Sequence, residues 1–260
     1  MPRISEAQAQ SGTGPASKMV RLTLSANLLD RFLDLADRLQ LERTDLIDLL
    51  VMRGWPTELE SGALQEEDTL RAKLATELIE GFANGKALSR FDVESRIESP
   101  VNVTALRMAA RREIDPNEVD PGQGFTRTHM GMDLLDNPEE VWSQARGYWT
   151  AQPDAEYLIP VRLGYAPYVF RTNRWQRTEG SVRRVWATSG HFIDLEKQLA
   201  VPLVDTPNFD APAKLDYSSA APASELDLQV ANALAGHMIA FTVGASNPVV
   251  RLRQRGHSLS

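Results

Sequence analysis

"KMVRLTLSANLLDRFLDLADRLQLERTDLIDLLVMRGWP", residues 18–56, changes its hydrophobic period partway along. Val20, Leu22 and Leu24 alternate with Arg21, Thr23 and Ser25, the pattern of a strand with one face buried. From Leu28 the spacing lengthens. Leu28, Phe32, Leu35, Ala36 and Leu39 form the apolar stripe of an amphipathic helix. A short "LER" connection follows, after which Thr44 is placed to cap a second helix. A strand and two short helices bury too little surface to hold a core alone, so the segment must pair. Two copies would set their strands side by side as an antiparallel ribbon, with Val20, Leu22 and Leu24 facing the helices. Arg21, Thr23 and Ser25 would then point outward on both strands, and a two-stranded ribbon fits the major groove of duplex DNA. The amides at the start of the second helix would be open to a phosphate.

The same elements, carried by "MVRLTLS", "LLDRFLDLADRLQ" and "ERTDLIDLL" in that order, resemble the ribbon-helix-helix family of dimeric DNA-binding proteins over about residues 18–55. The resemblance implies an obligate homodimer that reads duplex DNA with Arg21, Thr23 and Ser25 at the base edges and Arg43 and Thr44 near the backbone. One feature departs from it. Lys18, Arg21, Arg31, Arg38, Arg43 and Arg53 are balanced by Asp30, Asp34, Asp37, Glu42, Asp45 and Asp48, whereas phosphate binding favours an excess of cations. Two readings therefore stand: a sequence-specific DNA-binding protein acting as a transcriptional regulator, and a dimeric accessory protein of a nucleic-acid-processing or defence system that uses this fold only to dimerise.

Outside the segment, the chain is expected to divide into a disordered arm at 1–17, a helical linker at 57–98 and a C-terminal α+β domain at 99–260 with a small, mostly antiparallel sheet. In the linker, Leu70, Leu74, Leu78, Ala75, Ile79 and Phe82 follow a helical period that runs out at Gly81 and Gly85. A short helix is expected over Val103–Arg112, then a Pro- and Gly-rich loop. Asn137, Pro138, Glu139 and Glu140 mark a helix start, and Ser224 caps a last helix running through Leu226, Val230 and Leu234. Between these helices "EYLIPVRL", "YAPYVFRT" and "VRRVWAT" read as strands, and "PNFDAPAKLDYSSAAPAS" as a polar connection. A further strand is expected near the C-terminus.

"RGYW", "RRVWATSG" and the "G-x-x-N-P" turn within this half resemble an uncharacterised β-rich domain that elsewhere accompanies GIY-YIG nuclease modules. The likeness implies architecture and no catalytic residues, and this sequence contains no GIY-YIG motif. Arg171, Arg174, Trp175, Arg183 and Arg184 combine basic and aromatic groups that could grip a nucleic acid or a partner. Their alternative is ordinary: aromatics in the core and arginines in solvent. A small-molecule or protein partner at this domain is expected.

The chain has 260 residues, 42% hydrophobic and 24% charged, which places it among globular proteins of one or two domains. A net charge of −7 argues against general coating of nucleic acid but permits a local basic surface. With no cysteine, disulfides, thiolate metal sites and cysteine nucleophiles are excluded. No apolar run suits a signal peptide or a membrane span, so a soluble, cytoplasmic protein is expected. His129 with Asp133, and His191 with Asp194, are the nearest approaches to catalytic or metal pairs. Each lacks the companions that such chemistry needs, so no catalytic residue, metal or cofactor is expected.

Overall fold

A computed structural model describes residues 26–39, 41–58, 66–113, 129–149, 154–177, 185–204, 213–241 and 248–253. The predicted strand at 20–25, with Arg21, Thr23 and Ser25, lies outside these residues, as do Arg183 and Arg184. Helices α1 (Ala26–Leu39) and α2 (Arg43–Glu58) fall where the change of period places them, and α3 (Glu66–Ala83) follows. Ala36, Leu39, Leu46 and Leu49 pack against Ala75, Leu78, Ile79 and Phe82, so the three helices share one apolar cluster. That cluster also takes in Leu134 and Leu163 from the β-rich half.

Among the described residues, the rest of the chain is built on a nine-stranded, mostly antiparallel sheet, which makes the fold α+β. Next to last in the strand order, β1 (Val103–Arg107) lies parallel to β5 (Tyr157–Val161) and antiparallel to β13 (Val249–Arg253). β5 continues through β7 (Phe170–Arg177), β8 (Val185–Asp194) and β9 (Leu199–Val204), each antiparallel to the last, and β4 (Gly147–Trp149) also pairs with β8. Outside the main sheet β2 (Arg112–Glu113) pairs with β3 (His129–Met130), and β6 (Tyr165–Ala166) with β12 (His237–Met238). Alternation explains the layers. Val103, Ala105, Tyr157, Ile159 and Val161 face a cluster completed by Val93 of α4 (Arg90–Arg96), by Ile97 just after it, and by Val230, Ala231 and Leu234 of α6 (Glu225–Leu234). Leu106, Leu158 and Phe170 face the opposite way, onto Val141, Trp142 and Ala145 of α5 (Pro138–Ala145). With helices on both faces, β5 is buried along its whole length, which is why it reads as an unbroken apolar run.

The structure corrects two expectations. Val103–Arg112 is not a helix. Its first five residues are strand β1, held by β5 on one side and β13 on the other, and this pairing overrides the helical preference of "ALRMAA". The polar connection also carries structure: β10 (Lys214–Leu215) and β11 (Ala221–Pro222) both pair with β9, with a 3-10 turn at Tyr217–Ser219 between them. The helix starts at Asn137 and Ser224 are as expected, each with a reciprocal capping box, to Glu140 and Asp227 respectively.

One tight turn joins the helical cluster to the sheet. After β5, Arg162 and Tyr165 exchange backbone hydrogen bonds of 2.9 Å in both directions, closing a two-residue loop. Both loop residues are left-handed, Leu163 at φ 53° and Gly164 at φ 77°, as in a type I′ turn. Leucine is an unusual choice there. Its side chain is buried among the helices, and that burial offsets the backbone cost. A Cβ on Gly164 would stand 2.3 Å from the Phe82 ring. Gly164→Ala therefore combines about 1 kcal/mol of left-handed strain with about 1–3 kcal/mol of overpacking, and should lower stability by about 2–4 kcal/mol in urea titration.

Candidate nucleic-acid interface

The two helices of the opening segment set the geometry. α2 begins at Arg43, and the Leu46 amide donates to the Glu42 carbonyl at 2.9 Å, so the capping position belongs to Glu42 and not to Thr44. Arg43 and Thr44 instead occupy the exposed first turn. They stand together at the N-terminus of α2.

Three of the six acids that neutralise this segment in sequence are met from elsewhere. Arg162, whose side chain is 4% exposed, reaches Asp45 at 3.4 Å and Asp48 at 2.5 Å. Arg107, at the end of β1, pairs with Glu42 at 3.4 Å. Three carboxylates of the Glu42–Asp48 stretch therefore meet arginines of the β-rich half, while Arg43 stays exposed on the outer turn. Burial raises Asp45 above the usual carboxylate range, with Arg162 and Arg107 pulling the other way.

α2 is apolar on more than one side. Leu46 and Leu49 are fully buried against α3, yet Leu50 and Val51 are 38% and 50% exposed. Ile47, Leu50 and Val51 follow a three- and four-residue spacing, so they form a second stripe along the helix. Leu29 of α1 and Leu70 of α3 are also exposed.

The second predicted surface is divided by the sheet. Arg171 donates to the buried Asp227 at 2.7 Å, and the same carboxylate accepts from the Tyr157 hydroxyl at 2.8 Å and from the Ser224 hydroxyl at 2.7 Å. Trp175 is half-buried, its Nε1 donating to the Ala155 carbonyl at 2.8 Å. Arg174 is exposed beside them. Arg171 and Trp175 thus serve internal bonds while only partly exposed, and Arg174 is the most exposed of the three.

The two histidine pairs of the sequence have other partners among the described residues. His129 lies in the short strand β3 (His129–Met130), while Asp133 accepts from Arg71 at 3.1 Å and from the Leu135 amide at 3.0 Å. His191 contacts Asn173 at 3.1 Å, and burial together with Arg171 lowers its pKa. Asp194 shapes the turn after β8, accepting from the Lys197 amide at 3.0 Å and the Tyr217 hydroxyl at 2.9 Å. Among the described residues no group of three or more His, Asp and Glu could hold a metal ion, and no helix is long and apolar enough to cross a membrane.

Comparison of the chain with protein-family models, with curated proteins and with solved structures returns no match.

Proposed function

We propose that this chain is a dimeric, sequence-specific DNA-binding protein, a transcriptional regulator whose N-terminal segment pairs with a second copy and docks on duplex DNA. The observation that carries the proposal is α2. It spends one apolar face on its own chain, keeps Leu50 and Val51 in solvent, and exposes Arg43 and Thr44 on its first turn. A helix apolar on two sides calls for two partners, and the strand sequence at 20–25 supplies the means of pairing. Arg107 and Arg162 favour the DNA-binding reading, because pairing Glu42, Asp45 and Asp48 reduces the negative charge beside Arg43.

The alternative, a dimeric accessory protein of a nucleic-acid-processing or defence system, rests on the charge balance of residues 18–56 as a whole. Light scattering and a DNA titration separate the two. The wild-type chain should be a dimer, and the Leu50→Glu, Val51→Glu double variant a folded monomer, since neither side chain fills the internal core. Affinity for duplex DNA should fall steeply with salt, with a log–log slope of about −0.9 per phosphate contacted. A wild-type monomer at micromolar concentration would remove the proposal. A dimer without salt-dependent DNA binding would leave the accessory reading.

A further inference from the structure

The turn after β5 fixes more than the path of the chain. Its backbone is held on two sides: Arg162 and Tyr165 exchange their 2.9 Å hydrogen bonds, and the Gly164 carbonyl accepts from the Ile239 amide at 2.7 Å. From this base two successive side chains reach the helices. Leu163, 2% exposed, enters the apolar cluster of α1, α2 and α3. The Arg162 side chain, 4% exposed, meets Asp45 at 3.4 Å and Asp48 at 2.5 Å, two acids three residues apart on one face of α2. A guanidinium this buried is costly without carboxylates beside it, so the pairing belongs to the way the two halves dock.

These contacts set the rotation of α2 about its own axis. Successive helical residues are turned by about 100°, so residues two apart point to nearly opposite sides. Arg43 stands two before Asp45, and Leu50 two after Asp48. Turning the two acids onto the β-rich half therefore turns Arg43 and Leu50, seven apart and on one face, into solvent, where both are exposed. Leu46 and Leu49 hold the same helix against α3. The ion pairs hold it against the sheet.

We infer that Arg162 is a positioning residue for the proposed dimer and DNA contact: acting through Asp45 and Asp48, it lets the β-rich half determine how α2 presents Arg43, Leu50 and Val51. The inference rests on the dimeric reading proposed above and gives the β-rich half a part in it. A shift of the turn would rotate the presented face.

The test compares the wild-type chain, Arg162→Met, and the triple variant Arg162→Met, Asp45→Asn, Asp48→Asn. Sedimentation equilibrium reads association, anisotropy reads duplex DNA, and circular dichroism with urea unfolding controls for the fold. The triple variant leaves neither the buried cation nor its two acids, so it should fold even where Arg162→Met does not. Both variants should associate at least about fivefold more weakly than wild type, the lower end of ordinary coupling between sites, and bind DNA correspondingly less well. A charge effect alone predicts the reverse for the triple variant, which loses one cation and two anions per chain and should then bind DNA more tightly. A purely structural role would lower stability and leave association of the folded chain unchanged. Wild-type association by the folded triple variant would overturn the inference and leave the proposed function standing. A monomeric wild type would remove the proposed function, and the inference with it.

Discussion

Asp227→Ala should be among the most damaging single substitutions in the β-rich half, lowering unfolding stability by about 3–6 kcal/mol. The carboxylate is fully buried and has two tasks. As the third residue of α6 it closes the capping box, accepting from the Ser224 amide at 2.9 Å and hydroxyl at 2.7 Å. It also receives the Tyr157 hydroxyl from β5 and Arg171 from β7, tying α6 to two neighbouring strands. Truncation to alanine removes a cap, worth about 0.5–2 kcal/mol, and strands a cation and a phenol that the fold holds in place. The Arg171 side chain is 32% exposed and can recruit water, which keeps the expected loss at the lower end of the range for buried pairs. Asp227→Asn keeps one acceptor oxygen, which can serve Ser224 or Tyr157 but not both because they bond different carboxylate oxygens, and should lose less than the alanine variant. Urea unfolding of the full chain measures both. A loss below about 1 kcal/mol for the alanine variant would show that the network is not a stabilising centre.

The same network gives a pH signature. Burial, then the hydrogen bond and charge of Asp227, push the Tyr157 hydroxyl well above its ordinary range. A pKa raised on folding means that the native state favours the protonated phenol. The stability it contributes is fully present below the unfolded value near pH 10, and declines as pH rises above that. Tyr157→Phe should flatten this alkaline decline.

The parts of the fold legible in the sequence are those set by local chemistry. Asn137 with Pro138 and Glu140, and Ser224, announce helices because caps are satisfied within four residues. β5 is legible because a strand buried on both faces must be apolar throughout. β1 is not legible. "VTALRMAA" suits a helix or a strand about equally, and the decision lies with partners more than fifty residues away, since Val103 pairs with Tyr157 and Arg253. The charges around α2 were hidden for the same reason. Arg162 meets Asp45 and Asp48 across separations of 117 and 114 residues, so counting charges within residues 18–56 could not reveal how many are met from outside. Arg107 was further obscured by the helix expected at its position. Asp227 is not singled out by the sequence, and its partner Arg171 is expected there on a nucleic-acid or partner surface.

Arg21→Ala is the decisive test of the proposed DNA contact. The residue lies outside the described part of the chain, so the expectation rests on the alternation of "VRLTLS". In the proposed ribbon Val20, Leu22 and Leu24 face the helices, leaving Arg21, Thr23 and Ser25 toward the groove. Arg21 is the one long donor among these three and can bond bidentately to guanine, whereas the hydroxyls of Thr23 and Ser25 reach less far and discriminate less. A dimer presents two copies. Each good base contact is worth about 1–3 kcal/mol, so losing both should weaken specific binding by about 2–6 kcal/mol where the two act independently. The fold and the dimer should survive, because an outward side chain contributes nothing to the packed face. Arg43→Ala makes the informative contrast: as a backbone contact it should weaken binding to all sequences alike and reduce the salt slope by about 1 per site. Anisotropy titrations on DNA selected by the wild-type protein, beside a scrambled duplex, read both effects, with circular dichroism and light scattering as controls. A folded, dimeric Arg21→Ala variant with undiminished preference for the selected DNA would mean that the ribbon does not read sequence, and the dimer would then serve association alone.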